Sequence, residues 1–129
     1  MLLMLPICAV AQDEPQCTDF VEGTFVYKDT LQEFIIIRTG DEHSEINTDK
    51  KAVSVATVDW VKDCQYNLEF RSMPKGYKFM HGKTLKVFIT DVFEDGYSYT
   101  SRIKGVVTKW TLVRYDGEIP DYSKWDGAE

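Results

Sequence analysis

The chain has 129 residues, with 15 Lys and Arg against 21 Asp and Glu, a formal charge of −6. That length allows one domain and little more, and a 43% hydrophobic fraction with seven Phe, seven Tyr and three Trp supplies a core, which argues against disorder. A sequence pI near 4.9 argues against broad phosphate-backbone binding, so nucleic acid is excluded as an expected partner.

Met1–Ala11 (MLLMLPICAVA) is uncharged and almost wholly apolar, and it ends in Ala9-Val10-Ala11 before Gln12. An A-x-A pattern closing a short apolar run is the cleavage signature of a secretory signal peptide. The basic segment that usually opens such a signal is missing, so a start upstream of Met1 is an open expectation. A bilayer crossing needs about 20 apolar residues, so the segment does not span a membrane. Bulky Ile7 before Cys8 disfavours a lipid anchor. Cys8 would therefore leave with the signal, and the mature domain, residues 12–129, keeps Cys17 and Cys64. In an exported protein two thiols suggest one disulfide, closing a loop of 46 intervening residues, with two buried free thiols as the alternative.

No segment after residue 12 sustains a helical period over three turns, whereas period-two alternation recurs. Phe20–Lys28 places Val21, Gly23, Phe25 and Tyr27 on one face, and Phe34–Thr39 is rich in β-branched residues. Strands are further expected at His43–Thr48, Ala52–Trp60, Tyr66–Ser72, Lys83–Phe93, Tyr97–Lys104 and Val106–Tyr115. Pro74–Gly82 is the one long irregular stretch, and Glu118–Glu129 is a polar tail carrying Tyr122 and Trp125. About eight strands at near-regular spacing, separated by turn residues, predict an all-β domain: an antiparallel up-and-down barrel.

Two registers follow from the pattern. A four-residue loop at Gly40–His43 would pair Thr39 with Ser44, Arg38 with Glu45 and Ile37 with Ile46, making Arg38 and Glu45 a cross-strand ion pair. A sharper alternative puts Arg38 inside a barrel mouth, gripping an anionic headgroup. A five-residue loop at Val61–Gln65 would pair Trp60 with Tyr66, Val58 with Leu68 and Ala56 with Phe70. That arrangement leaves Asn67, Glu69 and Arg71 facing solvent and puts Cys64 where Cys17 could reach it.

Gly23-Thr24-Phe25 on the first strand and Arg114 near the end of the last resemble the lipocalin and fatty-acid-binding (calycin) superfamily. In those proteins a Gly-x-Trp stacks on an Arg and closes one barrel end; here Phe25 stands in place of the Trp. The resemblance implies a lipocalin-like eight-stranded barrel in which Phe25 and Arg114 close one end. Residues 17–116 also resemble a group of small exported bacterial proteins of unassigned function, through Phe20-x-x-Gly23, Ile36-Ile37-Arg38, Glu45, Trp60 and Asp63-Cys64-x-Tyr66-x-Leu68.

Asp41-Glu42-His43-Ser44-Glu45 offers one imidazole and three carboxylates, but the only other His, His81, is distant, so a solvated hairpin tip is favoured over a metal site. There is no Gly-x-Ser-x-Gly elbow and no glycine-rich phosphate loop. No catalytic residue, metal or cofactor is therefore expected. The function expected is that of an exported protein that binds a small, mostly apolar molecule without catalysis. Phe25, Tyr27, Trp60, Tyr66, Phe70, Ile89 and Trp110 are the expected lining residues. The rival readings are a protein-binding module with a filled core and, behind it, a small secreted hydrolase.

Overall fold

A computed structural model describes residues 14–29 and 33–129, and the expected signal segment with Cys8 lies outside them. Alternation of apolar and polar residues produces eight strands: β1 (Gly23–Tyr27), β2 (Phe34–Thr39), β3 (Glu42–Asn47), β4 (Ala52–Lys62), β5 (Gln65–Ser72), β6 (Thr84–Val92), β7 (Gly96–Ile103) and β8 (Val106–Arg114). Each pairs antiparallel with the next, and β1 pairs with β8, so the sheet closes into an up-and-down barrel with no free edge. The first strand is shorter than its alternation suggests, because Cys17–Phe20 instead forms a 3-10 turn that turns Phe20 into the barrel.

The strand directions give the barrel two unlike ends. The closed end carries residues 14–22 and the turns after β2, β4 and β6; the open end carries the connections after β1, β3, β5 and β7. Inward residues of every strand but β3, whose inward His43 and Glu45 are polar, form one core, including Phe25, Ile36, Ala56, Val58, Tyr66, Leu68, Val87, Tyr97 and Leu112. A second apolar cluster lies outside the wall, where Val26, Ile35, Ile46, Val53 and Val55 are covered by Tyr115, Tyr122 and Trp125. The C-terminal tail is thus a second packing layer on one side of the barrel. It is fastened by the Ala52–Asp126 bridge and by Arg71, which bonds both Glu129 oxygens.

The β4–β5 hairpin pairs Trp60 with Tyr66, Val58 with Leu68 and Ala56 with Phe70, the register that keeps the whole apolar set inside. Its loop is tighter than five residues. Lys62 pairs with Gln65 and a bulge at Val61 absorbs the extra residue, leaving Asp63 and Cys64 as the turn. Cys64 is disulfide-bonded to Cys17, and the bridge straps the N-terminal segment across the closed end. A disulfide fits an oxidising compartment.

The β2–β3 register departs from the expected one by two residues. Thr39 pairs with Glu42, Arg38 with His43, Ile37 with Ser44 and Ile35 with Ile46. Gly40, at φ +60°, allows a two-residue turn with Asp41, and such tight loops match strand twist better than a four-residue loop. The Arg38–Glu45 cross-strand pair is therefore corrected: Glu45 lies opposite Ile36. A slip of two preserves side-chain parity, so Arg38 and Glu45 still share the inner face.

Candidate functional site

The closed end is built around Arg38. It is 2% exposed and bonded on every side: Nε to His43 Nδ1 (3.2 Å), Nη1 to the Phe20 carbonyl (3.0 Å), and Nη2 to the hydroxyls of Tyr66 (2.8 Å) and Tyr97 (2.5 Å). The two hydroxyls also bond each other at 2.8 Å. The guanidinium lies 4.7 Å from the Tyr66 ring centroid and 5.2 Å from that of Phe25. Arginine has five N–H donors, and four are taken here, so no fork remains to grip a carboxylate or phosphate. That saturation argues against the headgroup role for Arg38.

Arg114 lies over the rings of Phe20 (4.8 Å) and Phe25 (5.5 Å), donates to the Asp19 carbonyl at 2.7 Å, and pairs with Phe25 in the β1–β8 register. Gly23 is required beside it, since a Cβ there would stand 2.7 Å from Arg114 Nη1 and φ is +142°. Phe20, Phe25, Arg38, Tyr66, Tyr97 and Arg114 together make a cap that closes this end.

At the other end is an open cleft of about 460 Å3. Phe34, Asn47, Ser54 and Phe70 form its wall, Met73, Tyr77, Phe79 and Met80 of the β5–β6 connection overhang it, and Glu45 points into it from β3. Below the cleft the interior is nearly filled: the space among Tyr27, Arg38, Glu45, Tyr66 and Tyr99 is about 40 Å3, room for a water or two and no more. Glu45 borders both spaces and accepts a hydrogen bond from the Tyr27 hydroxyl at 3.1 Å. Burial raises its carboxyl above the usual range, against the opposing pull of the Tyr27 bond and of the Arg38 charge.

The expected lining residues separate by depth. Phe70 lines the cleft, while Tyr27 and Tyr66 line the small interior space. Phe25 belongs to the closed-end cap, Trp60 packs 4.7 Å from Tyr66, and Ile89 packs against the core. Trp110 sits at the lip, 43% exposed, with its ring 5.3 Å from Tyr27. Phe34, Asn47, Ser54 and the overhanging residues were missed by sequence reasoning. The signal for Tyr77, Phe79 and Met80 was the density of apolar side chains in Pro74–Gly82, a stretch with no period of its own.

The acidic hairpin tip is split by strand alternation, which turns His43 and Glu45 inward and Glu42 and Ser44 outward. Among the described residues no three His, Cys, Asp or Glu gather as a metal cluster. No protein-family model, curated protein or solved structure matches this chain. What is shown is a fold: an eight-stranded antiparallel closed barrel of calycin-like form.

His43 provides a pH test of this geometry. Burial, reinforced by the Arg38 charge, holds its pKa well below the usual value, and its Nδ1 accepts from Arg38, so the ring is neutral with its proton on Nε2. A depressed folded pKa stabilises above the unfolded value, about 6.5, and that contribution declines as pH falls below it. Urea unfolding at pH 7 and pH 5 should show stability falling with acid. His43→Gln, which keeps an acceptor for Arg38 and cannot titrate, should flatten that fall. An unchanged pH slope in the variant would mean that His43 is not the group responsible.

Proposed function

We propose that this protein is an exported carrier for a small, mostly apolar molecule, held at the open end of the barrel and not swallowed into its core, with no catalytic step. The observation that carries this reading is the cleft of about 460 Å3. Ligand sites fall in the range of about 300–1,000 Å3 and combine apolar walls with a few placed polar groups. Here Phe34, Phe70, Met73, Tyr77, Phe79 and Met80 supply the apolar surface, and Glu45 and Asn47 supply the polar points. The filled interior beneath it favours a ligand that lies across the mouth. The disulfide and the apolar N-terminal segment support work outside the cytoplasm.

The reading is tested by titrating the protein with 1-anilinonaphthalene, an apolar fluorophore that brightens out of water. Saturable one-to-one binding is expected. Ser54→Phe, which fills the cleft from its β4 wall, should abolish it while leaving the urea midpoint near that of the parent chain. Equal binding by parent and variant would place the probe elsewhere and overturn the cleft as the site.

A further inference from the structure

The barrel is electrically polarised along its axis. The described residues of the four connections at the open end, 28–29 with 33, 48–51, 73–83 and 104–105, hold seven lysines against three carboxylates: Lys28, Lys50, Lys51, Lys75, Lys78, Lys83 and Lys104 against Asp29, Glu33 and Asp49. The closed-end segments 14–22, 40–41, 63–64 and 93–95 hold seven carboxylates and no lysine or arginine. A chain of charge −6 thus presents a basic face at one end only. The tail brings Asp126 toward this end, where its carboxylate accepts from the Lys75 backbone N–H. Lys83 and Lys104 approach closely enough that each Lys104 contact lowers the Lys83 pKa.

The same end carries exposed apolar side chains. Phe79 is 66% exposed and Val106 59%, with Tyr77, Val107 and Trp110 also exposed. Residues 106–110 are all exposed, so the β7–β8 hairpin projects past the barrel wall with Lys104 at its tip. Phe93 and Val61 are exposed at the closed end, but among carboxylates.

We propose that the open end docks on an anionic lipid bilayer, the lysines against headgroups and Phe79, Val106, Val107 and Trp110 at the boundary with the acyl chains. Several clustered lysines suit a negative lipid surface, and aromatic side chains prefer the interface where one side is apolar and the other wet. Strands β5–β8, of eight or nine residues each, separate the two ends by roughly 20–25 Å, up to about three times the Debye length of about 8 Å at physiological ionic strength. The acidic end is therefore screened from a surface the basic end touches. A bilayer is preferred to an acidic protein because the apolar side chains project from the rim of an open cleft, which docking would bring against the lipid. This surface goes beyond the carrier reading and stands whether or not the cleft holds a ligand.

The test is co-sedimentation of the full chain with vesicles of phosphatidylcholine alone, or of phosphatidylcholine with one third phosphatidylglycerol, at low and high salt. Binding is expected only to the anionic vesicles, weakening with salt. The charge reversal Lys83→Glu with Lys104→Glu should reduce it by about tenfold or more. Phe79→Ser with Val106→Ser should also reduce it, by removing the inserted groups. Glu94→Lys with Asp95→Lys, at the far end, should leave it unchanged if the open end is the face that docks. All but the half-buried Lys83 are exposed positions, and circular dichroism checks that each variant folds. No binding to anionic vesicles, insensitivity to the lysine reversal, or equal competition by soluble poly-glutamate would each overturn the proposal, the last by assigning the face to an acidic polymer. Absence of saturable 1-anilinonaphthalene binding by the parent chain, with vesicle binding intact, would sink the cleft reading alone.

Discussion

Arg38→Met should cost about 3–5 kcal/mol in urea unfolding, the most severe loss expected from any single substitution in this protein. The side chain is similar in length and apolar, so the volume is nearly kept. What is lost is the donor set. His43 Nδ1, the Phe20 carbonyl and the hydroxyls of Tyr66 and Tyr97 all accept from this one guanidinium, and all are buried. Tyr66 and Tyr97 can still bond each other, but the imidazole nitrogen and the carbonyl are left without a donor. A small domain is stable by only about 5–15 kcal/mol, so the variant would be marginal. Arg38→Lys should recover only part, because an ammonium has three donors on a point and cannot reach four divergent acceptors. The triple variant Arg38→Met, Tyr66→Phe, Tyr97→Phe should be less damaged than the sum of its parts, since the acceptors leave with the donor. A loss under about 1 kcal/mol for Arg38→Met would show that the cap does not depend on this network.

Replacing both Cys17 and Cys64 by Ser should remove about 3–4 kcal/mol, measured as the difference between the urea curves of the parent and the variant. The bond joins positions 47 apart, a long loop whose closure restricts the unfolded chain. It also has a native-state role. The segment it fastens delivers the Phe20 carbonyl to Arg38, the Phe20 ring to Tyr97 and Arg114, and the Asp19 carbonyl to Arg114. Untying it loosens the cap as well as the chain. The two large effects are therefore coupled, and Arg38→Met combined with the cysteine pair should cost less than the two losses added. Strict additivity would mean that the N-terminal segment holds its place without the bridge.

The closed end and the open end differ in how far they could be read from the residues. Gly23, Phe25 and Arg114 stand out through their resemblance to a known barrel-closing motif, and Cys17 and Cys64 by number. Each is a short-range or countable feature. The cap's centre was visible as residues but not as a network: Arg38 follows three isoleucines, and nothing local marks Tyr66, 28 positions on, or Tyr97, 59 positions on, as its partners. The open cleft was less legible still. Its overhang comes from a stretch with no period, where the useful signal is only that Tyr77, Phe79 and Met80 are too apolar for an ordinary loop.

Which side of the wall a residue faces was legible in the sequence wherever alternation runs unbroken, because it has a period of two and survives a register slip of two, as Arg38 and Glu45 demonstrate; the bulge between Ile89 and Asp91 resets it, so Val92 packs against the core and Phe93, expected in phase with Leu85, Val87 and Ile89, is exposed. The number of strands and the Cys17–Cys64 pairing are of the same kind. The depth of each inward residue was decided only by the closed structure. Depth depends on how eight registers and their bulges add up around the barrel, and each register is a contest between turn geometry and cross-strand packing. That sum puts Phe25 and Tyr66 in the cap, Phe70 and Glu45 at the cleft, and Trp110 on the lip, although all five share one face.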